Sequence, residues 1–222
     1  RDIKRYKAEF ADLWIINSHN GIKEKKIPRI DIVKNYPAIY NHLKKYEIEL
    51  IKRQDKGEHW TNLRNCAYLE EFEKEKVVYP ETTQSNNFIF DKGIYFIEKT
   101  GFILIASKPK YFLAILNSQF FKNVYKSLFS SIELGKEGFQ FNKFAFEKFP
   151  IPKISPEAQQ PFIDLVDKIL SKKEKNQDTK MEEHQIDLMV YKLFELTYDE
   201  VKIVDPNFAM SQAEYERFEV EG

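Results

Sequence analysis

The chain has 222 residues, of which 42% are hydrophobic and 15% are aromatic, so it can bury a sizeable core and is not expected to be disordered. Its single cysteine excludes an internal disulfide framework, and no apolar run approaches the roughly 18 residues that a helix needs to cross a bilayer, so we expect a cytoplasmic protein. The formal net charge is zero, but residues 1–64 carry 15 Lys/Arg against 9 Asp/Glu and residues 104–153 carry 8 against 3, whereas residues 155–222 carry 8 against 16. This separation favours a basic working surface, with the acidic segment elsewhere.

The first fifty residues contain a short apolar run, a basic loop and a helical pattern. Residues 13–16 are flanked by turn-forming residues and are predicted to be a buried strand. Lys25 and Lys26 follow in a basic loop, where their ammonium groups can hold phosphates; the alternative is that each lysine is simply solvated. Apolar residues recur at helical spacing over residues 36–52, which predicts an amphipathic helix that begins near Pro37.

A cationic loop comes before the first predicted central strand. Its composition indicates a turn, in which Gly57 supplies a permissive backbone. The turn brings cations close to an indole ring that can serve as a stacking platform; these residues are Arg53, Lys56, Trp60 and Arg64. A guanidinium can bridge two acceptors of a guanine as a rigid fork, whereas an ammonium better suits a phosphate, so Arg64 is the candidate base reader and Lys56 a phosphate contact. The structural alternatives are an ion pair of Arg64 with Glu70 or Glu73 and a solvated Lys56.

Two polar loops supply further candidates for DNA contacts. Residues 82–87 separate two predicted strands, and residues 134–142 contain two glycines that allow a close approach to a ligand or merely make a turn. Amide side chains suit adenine, because Asn or Gln can donate to N7 and accept from N6 of one base. The candidate residues of these loops are Gln84, Asn86, Asn87, Lys136 and Gln140. For residues 82–87 the alternative is an ordinary polar turn.

The remaining elements of the first 154 residues are strands and one long helix. Strands are predicted at residues 77–79, 88–90, 95–96 and 102–105, and the first of them is expected to be half-buried and to end at Pro80. A helix is predicted to begin at Pro109, with an apolar stripe that reaches Leu128 and belongs to the core. Residues 149–152 contain two prolines, which predict an extended exit from this part of the chain.

From residue 156 onward the pattern is helical. Two apolar stripes separated by a polar link predict a helical hairpin, and Thr197 has the sequence context of a cap for a third, short helix. Residues 207–222 give no clear signal.

A set of short motifs occurs in a fixed order along nearly the whole chain. They are Asp2-Ile3-Lys4-Arg5-Tyr6, Tyr36-Pro37-Ala38-Ile39, Arg53-x-Asp55-Lys56-Gly57, Trp60-x-x-Leu63-Arg64-x-Cys66, Phe72-Glu73-Lys74, Val77-Val78-Tyr79-Pro80-Glu81, Asn117-Ser118, Phe149-Pro150-Ile151-Pro152 and Ile186-Asp187. In this order and spacing the chain resembles the C-terminal target recognition domain of TaqI-like and type IIG restriction-modification enzymes. The resemblance implies DNA sequence recognition on behalf of an adenine methyltransferase, which in some members is fused to an endonuclease. It also implies a helical support behind the recognition lobe.

The chemistry of such an enzyme is not visible in this sequence. There is no glycine-rich loop for S-adenosylmethionine after a strand and no Asn/Asp-Pro-Pro-Tyr/Phe run for a flipped adenine. The four histidines and Cys66 are not at zinc-ligand spacings. We therefore predict no catalytic, cofactor-binding or metal-binding residue here, and we expect the chain to be a piece of a longer protein. S-adenosylmethionine, and Mg²⁺ where the parent also cleaves DNA, would belong to that parent.

These observations predict a chain of α/β (mixed α+β) class. A recognition lobe on a mixed sheet with flanking helices is expected over residues 1–154, and a helical support lobe over residues 155–222. The predicted function is sequence-specific recognition of double-stranded DNA that positions the parent enzyme at its target adenine, with the methyltransferase or nuclease portion of the same polypeptide as partner. Two alternatives remain: a protein-interaction module that docks a partner subunit, which would lack salt-sensitive DNA binding, and a catalytic nuclease domain, which would cleave DNA by itself with magnesium.

Overall fold

In this computed structural model the residues described are 2–130, the backbone of 133–134, and 138–220. The fold is of mixed α+β class, 45% helical and 12% strand, as the sequence predicted. Among these residues every strand pair is antiparallel and each sheet has two or three strands. The described part of residues 1–154 therefore contains several small antiparallel sheets, where a mixed sheet was expected.

The elements are short in the first two thirds of the chain and longer at its end. The strands are β1 (Ile3–Lys4), β2 (Lys7–Ala8), β3 (Lys76–Pro80), β4 (Thr82–Thr83), β5 (Ile89–Asp91), β6 (Gly101–Leu104), β7 (Glu133–Leu134) and β8 (Gly138–Gln140), in sheets ordered β1-β2, β5-β3-β6 and β4-β8-β7. The helices are α1 (Ile32–Asn35), α2 (Pro37–Lys44), α3 (Glu47–Lys52), α4 (Pro109–Leu116), α5 (Gln119–Val124), α6 (Lys143–Phe146), α7 (Pro156–Glu174), α8 (Lys180–Leu193), α9 (Tyr198–Val204) and α10 (Gln212–Arg217). Turns of 3-10 or π helix cover Lys23–Lys25, Leu69–Glu73 and Tyr125–Phe129.

The chain forms two compact units. Unit 1 combines residues 2–11 with residues 73–220, and unit 2 is the intervening stretch, residues 12–72. The predicted boundary between residues 154 and 155 lies inside unit 1. The assignment of separate recognition and support roles to the two sides of that boundary stays a prediction.

Strand β3 is the centre of unit 1. Val77 and Val78 are both 0% exposed, because β3 lies between β5 and β6 and packs against α4 and β1. The strand itself was correctly predicted. The prediction that it is half-buried is wrong, because both of its faces are covered. Pro80, which lacks an N–H for the ladder, ends the strand opposite Gly101, as expected for a proline at this position. Gly101 begins β6.

The core of unit 1 is dominated by aromatic rings. Phe88, Phe121 and Phe141 are fully buried around Tyr125, with ring centroids 5.6 Å apart for Phe88–Phe121 and 5.1 Å apart for Phe88–Phe141 and Tyr125–Phe141. The two pairs of Phe88 are edge-to-face contacts, which add to the stabilisation from burial of apolar area. Core packing was the expected role for most of the aromatic residues, and it is the observed one for these.

The helix predicted from Pro109 is interrupted after Leu116. Asn117 is buried there, and its side-chain amide donates to the carbonyl of Phe88 (3.0 Å) and accepts from the N–H of the same residue (3.3 Å). Ser118 then caps α5 through its hydroxyl oxygen. The break is thus fixed by a contact to Phe88, the residue before β5, which periodicity does not reveal. Leu128, which was placed on the core stripe, is 76% exposed.

The helices after residue 155 follow the predicted pattern closely. α7 and α8 pack on each other as a hairpin and both pack on α4. Thr197 caps α9 in a capping box with Glu200, as predicted. α10 was not predicted, yet its Tyr215 is 2% exposed and donates a hydrogen bond to the carbonyl of Leu196 (2.8 Å).

Three other predictions fail in the structure. Residues 13–16 are not a buried strand: they form no strand, and Leu13 is 79% exposed. Residues 95–96 form no strand either. The helix predicted over residues 36–52 is divided at Tyr46 into α2 and α3, although it begins at Pro37 as expected, and neither helix contains a buried residue.

Lys76 and Asp91 form an ion pair inside unit 1. They face each other across β3 and β5, and their side chains are 0% and 1% exposed. The Asp91 carboxylate also accepts hydrogen bonds from the N–H groups of Ile94 (3.0 Å) and Tyr95 (3.1 Å). Gly93 completes this turn with a φ of +93°, and a Cβ there would lie 2.2 Å from the carbonyl oxygen of Glu73. The pair therefore ties the turn after β5 to the start of the central strand.

Asp187 is a second buried acid, in α8. Its carboxylate accepts from the N–H of Gln119 (2.8 Å), the first residue of α5. Burial raises the pKa of Asp187 to about 7, although the hydrogen bond and the nearby Arg5 act in the opposite direction and Asp205 and Glu183 add to the rise. The folded state thus holds a proton on Asp187 at pH values where an unfolded chain has released it.

We expect the free energy of unfolding to fall with pH more steeply in the natural chain than in Asp187→Asn. Because the folded pKa is raised, the stabilisation from this group is complete below about pH 4 and is lost as the pH rises toward 7, at no more than about 1.4 kcal/mol per pH unit. Asparagine retains the oxygen that accepts from Gln119. Urea unfolding of both chains between pH 4.5 and 7.5 measures the difference, and a gap that is constant with pH would contradict this prediction.

Candidate nucleic-acid interface

Unit 2 is built around two facing loops, which we call the loop cluster: residues 17–31 and residues 53–65. The first contains the 3-10 turn Lys23–Lys25, and the second contains the predicted turn at Gly57. Backbone hydrogen bonds join them, for example from the N–H of Leu63 to the carbonyl of Ser18 (2.9 Å). Together the two loops contain seven of the 15 Lys/Arg of residues 1–64.

Asn62 is the residue that holds the loop cluster together. It is 0% exposed, and its amide nitrogen donates toward the carbonyls of Ser18 (3.2 Å), His19 (3.4 Å) and Ile30 (2.9 Å). Its amide oxygen accepts from the guanidinium of Arg29 (2.8 Å). One buried side chain thus satisfies groups on both sides of the first loop, where unpaired carbonyls would be costly.

The backbone of Asn62 receives a second set of bonds. Its carbonyl accepts from the guanidinium of Arg53 (2.7 Å) and from the N–H of Gly57 (3.1 Å). The side chain of Asn20 approaches Gly57 closely, because a Cβ at this position would lie 2.5 Å from its oxygen. Glycine is therefore required here for space, and not for a left-handed backbone. The same oxygen of Asn20 accepts from the N–H of Glu58 (2.8 Å). The turn is therefore fixed against the first loop.

Four of the predicted cations project from this frame. Lys26 is exposed and ends the 3-10 turn with a φ of +57°. Lys25 forms an ion pair with Glu70, and the guanidinium of Arg64 lies 3.4 Å from the carboxylate of Asp55. The alternative reading of Arg64 as an ion-pair residue thus has support, although its partner is Asp55 and not the expected Glu70 or Glu73.

Lys56 is the fourth cation, and its position is more constrained. Its ammonium donates to the carbonyl of Ile51, while its backbone forms an antiparallel bridge with Leu63. The side chain is exposed, so contact with a phosphate requires only that this one hydrogen bond be exchanged.

Arg53 and Trp60 are less accessible than the sequence suggested. Arg53 is partly buried and its guanidinium is engaged with Asn62, so it belongs to the frame of the loop cluster. Trp60 is also partly buried, with its ring 5.9 Å from that of Tyr40 and 5.4 Å from that of His59. Its indole is packed on neighbours, and the expected open stacking platform is correspondingly reduced.

Comparison with known protein families places this arrangement in context. A family model described as the TaqI-like C-terminal specificity domain matches residues 1–151, which include the whole of unit 2. The chain belongs to this family. Membership gives the chain a role in DNA target recognition in a restriction-modification enzyme, as the resemblance of its motifs had implied. No curated protein matches the chain at a significant level.

The specificity domain also carries the predicted amide residues, all of them in unit 1. Gln84 is exposed, Asn87 donates to the hydroxyl of Thr83 (3.0 Å), and Gln140 donates to the carboxylate of Glu81 (2.8 Å). Gln140 lies in β8 opposite Thr82 of β4, while Gln84 directly follows β4 and Asn87 is bonded to its last residue. All three residues are therefore associated with the pair β4–β8.

Two of the predicted contacts in unit 1 of the specificity domain need separate comment. Asn86 is 2% exposed and donates to the carbonyl of Ser118 (2.6 Å), so it supports the start of α5 and cannot face a base in this fold. Lys136 lies outside the described residues.

Sequence reasoning missed the residues that organise the specificity domain. Asn62, Asn20 and the acidic partners Asp55 and Glu58 were not singled out as such. Their roles depend on contacts across as many as 45 residues, such as the bond from Asn20 to Asn65 (2.6 Å), for which no local pattern exists. Among the described residues, no three His, Cys, Asp or Glu side chains are placed to hold a metal ion together, and no helix could span a membrane.

Proposed function

We propose that this specificity domain reads a double-stranded DNA sequence and thereby holds a parent adenine methyltransferase at its target adenine. The observation that carries the proposal is the family match over residues 1–151, since it covers the loop cluster from end to end. The geometry of the loop cluster supports it: exposed cations are mounted on two loops that are joined by the hydrogen bonds of Asn62. A rigid frame lowers the entropic cost of ordering side chains on DNA.

The proposed contacts divide into two kinds. Lys25, Lys26 and Lys56 would hold phosphates, because such contacts need charge and reach more than fixed geometry. Base edges in the major groove would be read by Arg64 and by the amides of the small sheet, Gln84, Asn87 and Gln140. Asn86 is left out of this set because it is buried.

The chemistry of the parent enzyme is proposed to lie in another portion of the same polypeptide. That portion would bind S-adenosylmethionine and, where the parent also cleaves DNA, Mg²⁺. In unit 2 the side chains of Leu13 and Ile48 are 79% and 68% exposed, which supports a surface that another part of the parent covers.

We expect the chain to bind duplex DNA with an affinity that falls steeply with salt, because its lysines release counterions from the phosphates. Lys26→Ala should lower the slope of log K against log salt by about 0.9, the contribution of one phosphate contact. Lys180→Ala is the matched control, since Lys180 is also exposed but lies in α8. Fluorescence anisotropy titrations with a labelled duplex measure both slopes.

Affinity that is absent at low salt, or that does not change with salt, would reject DNA recognition by this chain. An equal effect of the two lysine substitutions would leave DNA binding in place and remove the loop cluster from the interface.

A further inference from the structure

The cations of the loop cluster are accompanied by carboxylates at short range. Lys23 lies 3.4 Å from Glu58, Arg64 lies 3.4 Å from Asp55, and Lys25 pairs with Glu70, which belongs to the 3-10 turn Leu69–Glu73. All six side chains are between 42% and 86% exposed. Three of the cationic groups best placed to meet DNA are therefore already neutralised by groups of the protein.

These ion pairs are poorly explained by stability. Exposed pairs of this kind contribute little to folding, because water and salt screen the attraction and two long side chains must be held in place. The frame of the loop cluster is held by other bonds, chiefly those of Asn62, which involve none of the three carboxylates. The carboxylates must therefore be considered for what they do to an approaching ligand.

Two of the three acids are fixed by the backbone around them. The N–H of Glu58 is bonded to the side chain of Asn20 (2.8 Å), and Asp55 lies in the turn closed by the bond from the N–H of Lys56 to the carbonyl of Gln54 (3.2 Å). Because the backbone of both acids is held, their carboxylates can move away from an arriving phosphate only by a change of side-chain rotamer. A phosphate that takes the cation must then either displace the carboxylate or lie beside it, and like charges at this distance repel each other.

We propose that Asp55, Glu58 and Glu70 are specificity-determining residues, which compete with DNA phosphates for Lys23, Lys25 and Arg64 and so keep sequence-independent binding weak. The inference rests on the proposed function, namely DNA recognition by the loop cluster. Non-specific binding is carried almost entirely by phosphate contacts, so it loses most from this competition. At the target sequence, Arg64 leaves Asp55 and bonds to acceptors on a base edge. These bonds offset the loss of the ion pair, and they form only where the right base is present.

The test removes the three negative charges without changing the shape of the side chains. The variant Asp55→Asn/Glu58→Gln/Glu70→Gln is compared with Glu174→Gln/Glu195→Gln/Glu216→Gln, which changes the net charge by the same amount at exposed positions of unit 1. Affinity for a random-sequence duplex is measured by anisotropy at about 50 and about 200 mM salt. Thermal unfolding of both variants checks that they are folded.

We expect the loop-cluster variant to bind the random duplex at least about tenfold more tightly at the lower salt concentration, with a slope of log K against log salt that is steeper by up to about 0.9 for each freed cation. The control should change affinity by less than about threefold, since its three carboxylates are not the ion-pair partners of Lys23, Lys25 or Arg64. Each single substitution of the three should give part of the gain, which keeps the test decisive if the triple variant is poorly folded.

Two results would overturn the inference. Equal tightening in both triple variants would show that net charge alone matters, and an unchanged loop-cluster variant in a chain that binds DNA salt-dependently would show that the carboxylates do not compete. If neither the natural chain nor the variants bind at low salt, the proposed function fails together with the inference.

Discussion

Removal of residues 155–222 is expected to abolish the cooperative unfolding transition of the remaining chain. The apolar side chains of this segment that are buried in the common core of unit 1 are Phe162, Ile163, Leu165, Val166, Ile169, Ile186, Leu188, Met189, Val190, Tyr191, Val201, Phe208 and Tyr215. Burial of each such side chain contributes about 1.5–3 kcal/mol, whereas the whole net stability of a domain is only about 5–15 kcal/mol, so loss of even a few of their contacts with residues 1–154 removes a large part of that stability. Their loss would expose α4, against which α7 and α8 pack.

Circular dichroism during urea unfolding compares the shortened chain, residues 1–154, with the full chain. Ile169→Ala in the full chain is the control, because a single large-to-small change at a 0% exposed position costs about 2–5 kcal/mol and should leave a cooperative transition. An unchanged midpoint in the shortened chain would mean that the helices fold independently, as the predicted boundary at residue 154 allows.

Substitution of Lys76 by methionine is expected to lower the free energy of unfolding by about 3–5 kcal/mol, because it leaves the Asp91 carboxylate buried without its counter-charge. The side chains of the pair are 0% and 1% exposed, so water cannot compensate. The double variant Lys76→Met/Asp91→Asn should recover part of the loss. The double variant removes the unpaired negative charge of Asp91, and the amide oxygen of the asparagine can still accept from the N–H groups of Ile94 and Tyr95.

Chemical unfolding of the two variants and the natural chain gives the comparison. A double variant that is less stable than Lys76→Met alone would show that the turn after β5, and not the buried charge, dominates the cost. A loss of under about 1 kcal/mol in the single variant would show that the buried carboxylate does not need the charge of Lys76.

The parts of the fold that the sequence predicted are those governed by long, regular patterns. α7 and α8 carry apolar stripes over several turns, and the cap of α9 is a local motif at Thr197, so both could be recognised. The break between α4 and α5 could not, because Asn117 makes its decisive bonds to Phe88, 29 residues earlier. The exposed run at residues 13–16 was mistaken for a strand because apolar composition does not state which surface, if any, covers it.

The candidate interface shows the same division. Turn composition and charge located the basic loops correctly, because glycine and lysine have local signatures. These local signatures gave no information on which ion pairs form. Lys25 pairs with Glu70, 45 residues away, and Arg64 pairs with Asp55. Asn86 and Asn87 are neighbours in a polar loop, yet one is buried and the other is partly exposed, since the backbone turns one side chain toward Ser118.

Unit 2 has one further property, which follows from its place in the chain. It is a single continuous stretch of the chain between β2 and β3, while the flanking strands β1 and β2 pack beside β3 and β5 in unit 1. A recombination event with two crossovers near codons 11 and 73 would therefore exchange the whole loop cluster and leave both halves of the unit 1 core unchanged. Domain insertions of this kind are tolerated where chain ends meet at a surface. The order of the elements along the chain therefore allows the loop cluster to be exchanged as one segment.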